Sequence, residues 1–472
     1  MSTTDRVVHF RELFEAQRRR AAQIALTGVR ERIGKLERLR TYLLANRARL
    51  FRALFADFRK PAAETEMTEL FTSVNELNTA IRHLRQWMKP QPVSSPLAMF
   101  GTSGHIRYEP KGVTLIIAPW NYPFYLLAKP LTSAIAAGNT AILKPSELTP
   151  HTAEFVRQMV ESQFSADEVT VVEGDAQVAG QLLELPFDHI FFTGSTAVGK
   201  KVMEAAARNL SSVTLELGGK SPCLVDRSAD LPTAARRIAW GKWVNAGQTC
   251  IAPDYVLVHQ SVKDRLIDEI GRAVREMYDP AGKGVQASDS LARILNDRHW
   301  NRLKTWLDEA VGMGARVRIG GEAEAADRFI APTVLDLVGE SMTLMQEEIF
   351  GPLLPVIGYD EPEEALRWIR ERPKPLVMYL FGRDDAAIRF FMARTSSGNA
   401  VINDTLVHFI HTDLPVGGVN TSGLGKANGF HGFQEFSNAR GVVRRQVEFL
   451  KLIYPPYSEK KRKLISMLVK YL

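Results

Sequence analysis

Two residues of this chain could share one piece of chemistry. Glu216 ends the apolar run of VTLELGGKSP (213–222), just before a Gly-Gly turn, and Cys250 follows 34 positions later at the end of GKWVNAGQTC (241–250). A thiol attacks carbon well only as the thiolate, and the water that clears the covalent adduct needs a base. One nucleophile and one carboxylate in an apolar setting are therefore a minimal kit for acyl chemistry through a thioester. The same residues are compatible with a cysteine that merely packs and a glutamate satisfied by a neighbour at a strand end.

Positioning such a pair requires a scaffold, and the chain alternates in a way that builds one. VTLIIAP (113–119) is a nearly all-apolar run of the type buried on both faces of a parallel sheet. A helix around 123–137 follows, then NTAILKPSE (139–147) and a helix from about 150 with Thr149 as its N-cap. EVTVVEG (168–174), a helix around 176–184, FDHIFFTGS (187–195), a helix from Ala197 and SVTLELGG (212–219) complete the series. Repeated βαβ units predict an α/β fold with a doubly wound parallel sheet, whose ligand binds beyond the carboxyl ends of the strands. Trp120-Asn121, Lys144 to Glu147 and Gly194-Ser195-Thr196 all fall at such ends. The last opens a helix, where free N–H groups favour a phosphate, although the strict G-x-G-x-x-G fingerprint is absent.

Around this core, residues 5–88 read as amphipathic helices forming a packing layer without candidate chemistry. Residues 89–110 break into Pro, Ser and Gly and read as an extended excursion. A second mixed region runs from about 219 to 425, with another extended stretch at 436–448.

Composition narrows the function classes. The 472 residues suggest about three domains, and 45% hydrophobic with 24% charged residues is ordinary for a soluble globular chain. Sixty basic residues are interleaved with 53 acidic ones, and no nucleic-acid-binding module is visible. Two cysteines, Cys223 and Cys250, cannot make a disulfide framework and fit a reducing cytoplasm; Cys223 reads as core. The amino terminus lacks a signal-like apolar segment, and no run approaches the ~20 residues of a bilayer span.

Six motifs in register, PWNYP, KPSE, FTGS, ELGGKSP, NAGQTC and EEIFGP, resemble the aldehyde dehydrogenase superfamily across roughly residues 75–440. PWNYPF, LKPSEL, GQTCIAPDY and the YPP near the end are similar to its class 3, or fatty aldehyde, branch. The resemblance implies a homodimer that uses NAD or NADP to oxidise medium- to long-chain or aromatic aldehydes. It implies a cofactor domain (1–91 and 111–216), a second α/β catalytic domain (217–425), a small β oligomerisation arm (92–110 and 436–448) and a basic tail (449–472).

By the same matching, Cys250 would be the nucleophile, Asn121 an oxyanion donor and Glu216 the base. Lys144 and Glu147 would meet the adenosine ribose, Gly194 and Ser195 the pyrophosphate with Trp120 nearby, and Glu348 the nicotinamide ribose with Phe350 beside it. Asn403 would lie by the substrate tunnel, with Tyr122, Trp243 and Phe409 as an aromatic wall. No metal is implied. One departure is Asn420 in GGVNTSGLG (417–425), where relatives carry glycine; Asn tolerates left-handed backbone angles.

The tail joins a basic block, Glu459 to Lys463, to Leu464, Met467, Leu468 and Tyr471 on one helical face. It would touch anionic lipid peripherally or dock on protein. The rival readings are a relative that passes the acyl group to coenzyme A, a cofactor-free cysteine hydrolase needing a histidine, and a non-catalytic binding or structural protein. Glu216 weighs against the coenzyme A route, the absence of a histidine from the matched motifs against the hydrolase, and an intact Cys250, Glu216 and Asn121 against the non-catalytic protein.

Overall fold

Five of the apolar runs become parallel strands because each is covered on both faces. A computed structural model describes residues 3–96, 99–447 and 454–471. Across the first sheet the strands run Gly423–Leu424, Ser212–Glu216, His189–Thr193, Val113–Ile117, Thr140–Lys144 and Val169–Val171, and only Gly423–Leu424 is antiparallel to its neighbour. Numbered in chain order, the five parallel strands give the doubly wound order 3-2-1-4-5. The order reverses between Val113–Ile117 and His189–Thr193, so the ligand crevice opens beyond those carboxyl ends. Trp120-Asn121, Gly194-Ser195 and Glu216 stand there because their strands end in register, with Ile117 opposite Phe192 and Thr193 opposite Glu216.

The helix after the central strand, Tyr125–Ala137, is buried along its whole length. The helices Val29–Ala45 and Thr72–Trp87 pack on it. Thr149 does occupy the N-cap of the Pro150–Gln163 helix, but its hydroxyl caps nothing. Asp57, distant in sequence, takes that role: its carboxylate accepts from the N–H groups of His151 and Thr152, each at 3.0 Å. Residues 5–88 are helical, interrupted by a π-helical turn, Glu66–Phe71.

The second sheet runs Arg316–Ile319, Thr333–Asp336, Leu353–Tyr359, Tyr255–His259, Pro222–Val225, Val377–Phe381 and Asn399–Ile402, parallel except at its first pair. A separate three-stranded antiparallel arm joins Gln91–Val93, Thr102–Pro110 and Ser437–Arg445. Asn420 adopts φ +56°, the left-handed angle that its glycine-rich loop demands. The tail forms the helix Glu459–Tyr471, in which Leu464 is half-buried and Met467 exposed. The side chains of Leu468 and Tyr471, and residues 448–453 and 472, lie outside the described residues. No helix among the described residues is long and apolar enough to cross a membrane.

Candidate active site

The loop that carries Cys250 is strained and then pinned. Asn245 and Ala246 both adopt left-handed angles, φ 56° and 53°, which cost an alanine roughly 1–2 kcal/mol. Gly247 follows at φ +76°, where a side chain would strike the carbonyl of Gly351. The strain is held by buried hydrogen bonds on every side. The Asn245 N–H donates to Glu64 (2.9 Å), and its side-chain amide donates to the carbonyls of Asn121 (2.8 Å) and Gln248 (3.1 Å). Gln248 in turn donates to the carbonyls of Asn245 and Arg293, and accepts from the Leu295 N–H. Asn121, 2% exposed, donates to the Gln248 carbonyl at 3.0 Å and has a second N–H to spare.

The helical layer read from sequence as mere packing reaches this loop, which corrects that reading. Besides Glu64, the π-helical turn brings Glu69 to a fully buried ion pair with Lys60 at 3.0 Å. Glu69 also accepts from the Tyr125 N–H (2.7 Å), and the Lys60 ammonium lies 3.9 Å from the centre of the Tyr122 ring. Glu64, Lys60 and Glu69 carried no motif; charges at positions that should be apolar on an otherwise regular helical face were the available signal.

Glu216 ends its strand with its carboxyl buried and one oxygen, Oε1, without a hydrogen-bond partner. Burial raises its pKa, opposed by Lys129 and then Lys426, while Glu435 adds to the rise. Burial likewise pushes the Cys250 thiol up to about 12, with Glu348 and Glu216 reinforcing it and Lys129 as the one side chain opposing it. Glu348 is raised to about 8 by burial and by Asp254. It sits so close to the Gly218-Gly219 turn that any Cβ at Gly218 would collide with its carboxylate. The resting site thus holds cysteine as thiol beside two carboxyl groups whose burial favours their protonated forms.

Two cavities meet at this cysteine. The larger, an open cleft, is lined by Trp120, Asn121, Gly194, Ser195, Glu216 and Glu348, with Phe350 closing one side against Trp120 at 5.3 Å. A second, smaller cavity, overwhelmingly apolar, is lined by Tyr122, Tyr125, Trp240, Leu406, Phe409 and Ile410. Cys250, Leu126 and Phe409 border both.

Two expected wall residues are elsewhere. Trp243 is fully buried in the core, its indole N–H spent on the Pro352 carbonyl, and Trp240, one turn earlier, faces the cavity instead. Asn403 uses its side chain to clasp both the N–H and the carbonyl of Gly382, beside a separate polar hollow with Arg237 and Arg383. Lys129, His299 and Arg302 line the cleft without having been singled out. His299 lies tilted against Trp120, ring centres 4.9 Å apart, and no histidine among the described residues hydrogen-bonds Cys250.

A profile of the aldehyde dehydrogenase family matches residues 5–442. The chain is 44% identical to aldehyde dehydrogenase family 3 member B1 of Rattus norvegicus, over 98% of this chain and 97% of the relative. It is 42% identical to the 4,4'-diaponeurosporen-aldehyde dehydrogenase of Staphylococcus aureus, over 90% and 92%. A substrate-bound structure of Staphylococcus aureus AldH superposes with a TM-score of 0.93 at 40% identity, covering 97% of this chain and 99% of that one. The chain belongs to the aldehyde dehydrogenase family. It is an oxidoreductase for aldehydes that uses NAD or NADP, as the family does in general.

The cleft of this aldehyde dehydrogenase suits such a cofactor. Ser195 caps the Thr196–Ala207 helix, whose free N–H groups face the crevice where a pyrophosphate would gain from the dipole. Glu348 would offer carboxyl oxygens to ribose hydroxyls, and Trp120 and Phe350 flat apolar surface. Lys144 and Glu147 stand at the end of the adjacent strand, outside the cleft lining, paired with each other at 2.7 Å.

Proposed function

We propose that this enzyme oxidises apolar aldehydes, medium- to long-chain aliphatic or aromatic, to carboxylic acids through a thioester on Cys250. The observation that carries the reading is the meeting, at one cysteine, of a cleft that holds Asn121, Ser195, Glu216 and Glu348 with a smaller cavity whose lining is almost wholly apolar. Bound NAD or NADP supplies the hydride acceptor. Cys250 gives its proton to Glu216, which passes it to solvent, as its sulfur bonds to the aldehyde carbon, and the spare Asn121 N–H with the Cys250 backbone N–H receives the developing oxyanion. Once the carbon is oxidised to the thioester, Glu216 takes a proton from water. The new C–O bond forms, the C–S bond breaks, and the sulfur recovers its proton as the acid leaves. A glutamate at this position, with an unpartnered oxygen to receive that proton, favours hydrolysis over transfer to coenzyme A.

The test is absorbance at 340 nm with a panel of aldehydes and both cofactors. Cys250→Ala abolishes turnover. Glu216→Gln leaves a burst of reduced cofactor followed by a slow steady state, and full steady-state activity in that variant rules Glu216 out as base. Lys144, already neutralised by Glu147, has little charge left for a 2′-phosphate, so NAD is the better cofactor by kcat/KM. Glu147→Gln narrows that difference.

The antiparallel arm supports a homodimer, read by light scattering. The basic helix Glu459–Tyr471 supports peripheral contact with anionic lipid; sedimentation with anionic vesicles, lost on truncation after residue 457, tests it. The cysteine usage supports a cytoplasmic location.

A further inference from the structure

The Tyr125–Ala137 helix buries every residue, and one of them is a lysine. Lys129 is 2% exposed in the middle of LLAKPL. Removing an ammonium from water costs several kcal/mol, so a lysine persists there only against compensating charge. Its side chain lines the cleft with Asn121, Glu216 and Cys250, and its Nζ lies 4.6 Å from the centre of the Phe409 ring. Burial lowers its pKa, against the pull of Glu216 first, then Glu76 and Cys250.

The groups facing Lys129 come from several elements. Glu216 is at its strand end, Glu76 on the Thr72–Trp87 helix, Cys250 on its loop, His408 in the Val407–Ile410 turn, and Tyr125 on the same helix. Facing Glu216 are Lys129, Lys426, Glu435, Tyr125 and Cys250. Lys426 is already committed: its ammonium donates to the carbonyls of Gly417 (2.7 Å) and Gly418 (3.1 Å). Glu435, which accepts from the Lys426 N–H, offsets its charge. Lys129 lines the same cleft as Glu216, and among the described residues its ammonium donates to no carbonyl.

We propose that Lys129 is a positioning residue for the hydrolytic half-reaction: its ammonium, fixed beside Glu216 by a buried helix, keeps that carboxylate ionised to take the proton from water. The same charge steadies the Cys250 sulfur as it bonds to carbon and later departs. The inference rests on the reading of Glu216 as base.

It is tested with Lys129→Met and Lys129→Gln, neutral and of similar length, and with Lys129→Arg as the conservative variant. In both neutral variants the pH of half-maximal steady-state turnover rises by about 1 unit, the low end for loss of one nearby opposite charge. The burst of reduced cofactor keeps its amplitude, and Lys129→Arg restores the wild-type midpoint. Without cofactor, alkylation of Cys250 by iodoacetamide at pH 8 slows roughly 3- to 10-fold in the neutral variants, a thiolate effect that does not depend on turnover. Melting temperatures identify which variants are folded. One folded neutral variant with an unmoved midpoint and alkylation rate overturns the proposal, as does an arginine variant displaced as far as methionine. Glu216→Gln without a burst removes the thioester reading and this inference together; a burst in Glu216→Gln with unmoved Lys129 variants removes this inference alone.

Discussion

Each reacting residue is held by groups that do not react. Asn121 shares its amide between the Gln248 carbonyl and the cleft, so its two N–H groups have different duties. Asn121→Ala is expected to lower kcat by about 10²–10³, the usual loss of one oxyanion donor, with a smaller change in KM. Glu348 makes a prediction about stability. Its folded pKa, about 8, lies above the ordinary 4.5, so the folded state binds that proton more tightly than the unfolded chain. Stability from this group is full below about pH 4.5 and is lost as pH rises through about 8. Cofactor-free wild type should therefore lose more melting temperature between pH 5 and 8.5 than Glu348→Gln does. Equal losses would mean that Glu348 is ionised throughout.

At the scale of elements, long-range contacts do what local sequence does not. Asp57 caps a helix that begins at Pro150, so Asp57→Ala should cost about 1 kcal/mol in urea unfolding, as for a local cap. Lys60 and Glu69 are both fully buried across the π-helical turn. Lys60→Met leaves Glu69 uncompensated and should cost about 3–5 kcal/mol. These two cases also explain what could be read beforehand. The parallel strands were legible because Val113–Ile117 and His189–Thr193 are apolar on both faces, and their ends placed Asn121, Gly194 and Glu216 on one edge. The roles of Glu64 and Lys129 were harder to read, since a charge in a helix reads as solvated until its neighbours are known, and Lys60 lies in the break between two helices. Trp243 was misread for the same reason: periodicity says that an aromatic is buried, not whether core or cavity buries it.

The whole molecule divides labour across Cys250. The first sheet delivers the cleft with its few placed polar groups, Asn121, Ser195 and Glu216, while the helical layer and the Val407–Ile410 turn enclose the apolar cavity, and the two spaces share only a short boundary at the sulfur. If that division governs function, a change confined to the apolar side should alter which aldehydes fit without touching the cofactor. Ile410 is half-buried and lines the apolar cavity alone. Replacing it with tryptophan adds bulk where a long chain would lie, and overpacking a filled site typically costs about 1–3 kcal/mol. By RT ln K that is roughly a 5- to 150-fold rise in KM for a long-chain aldehyde. The KM for a short aldehyde and the Kd for NAD should be unchanged. A parallel rise for short and long substrates would place the chain outside this cavity. A weakened Kd for NAD would show that the two halves are mechanically coupled rather than merely adjacent.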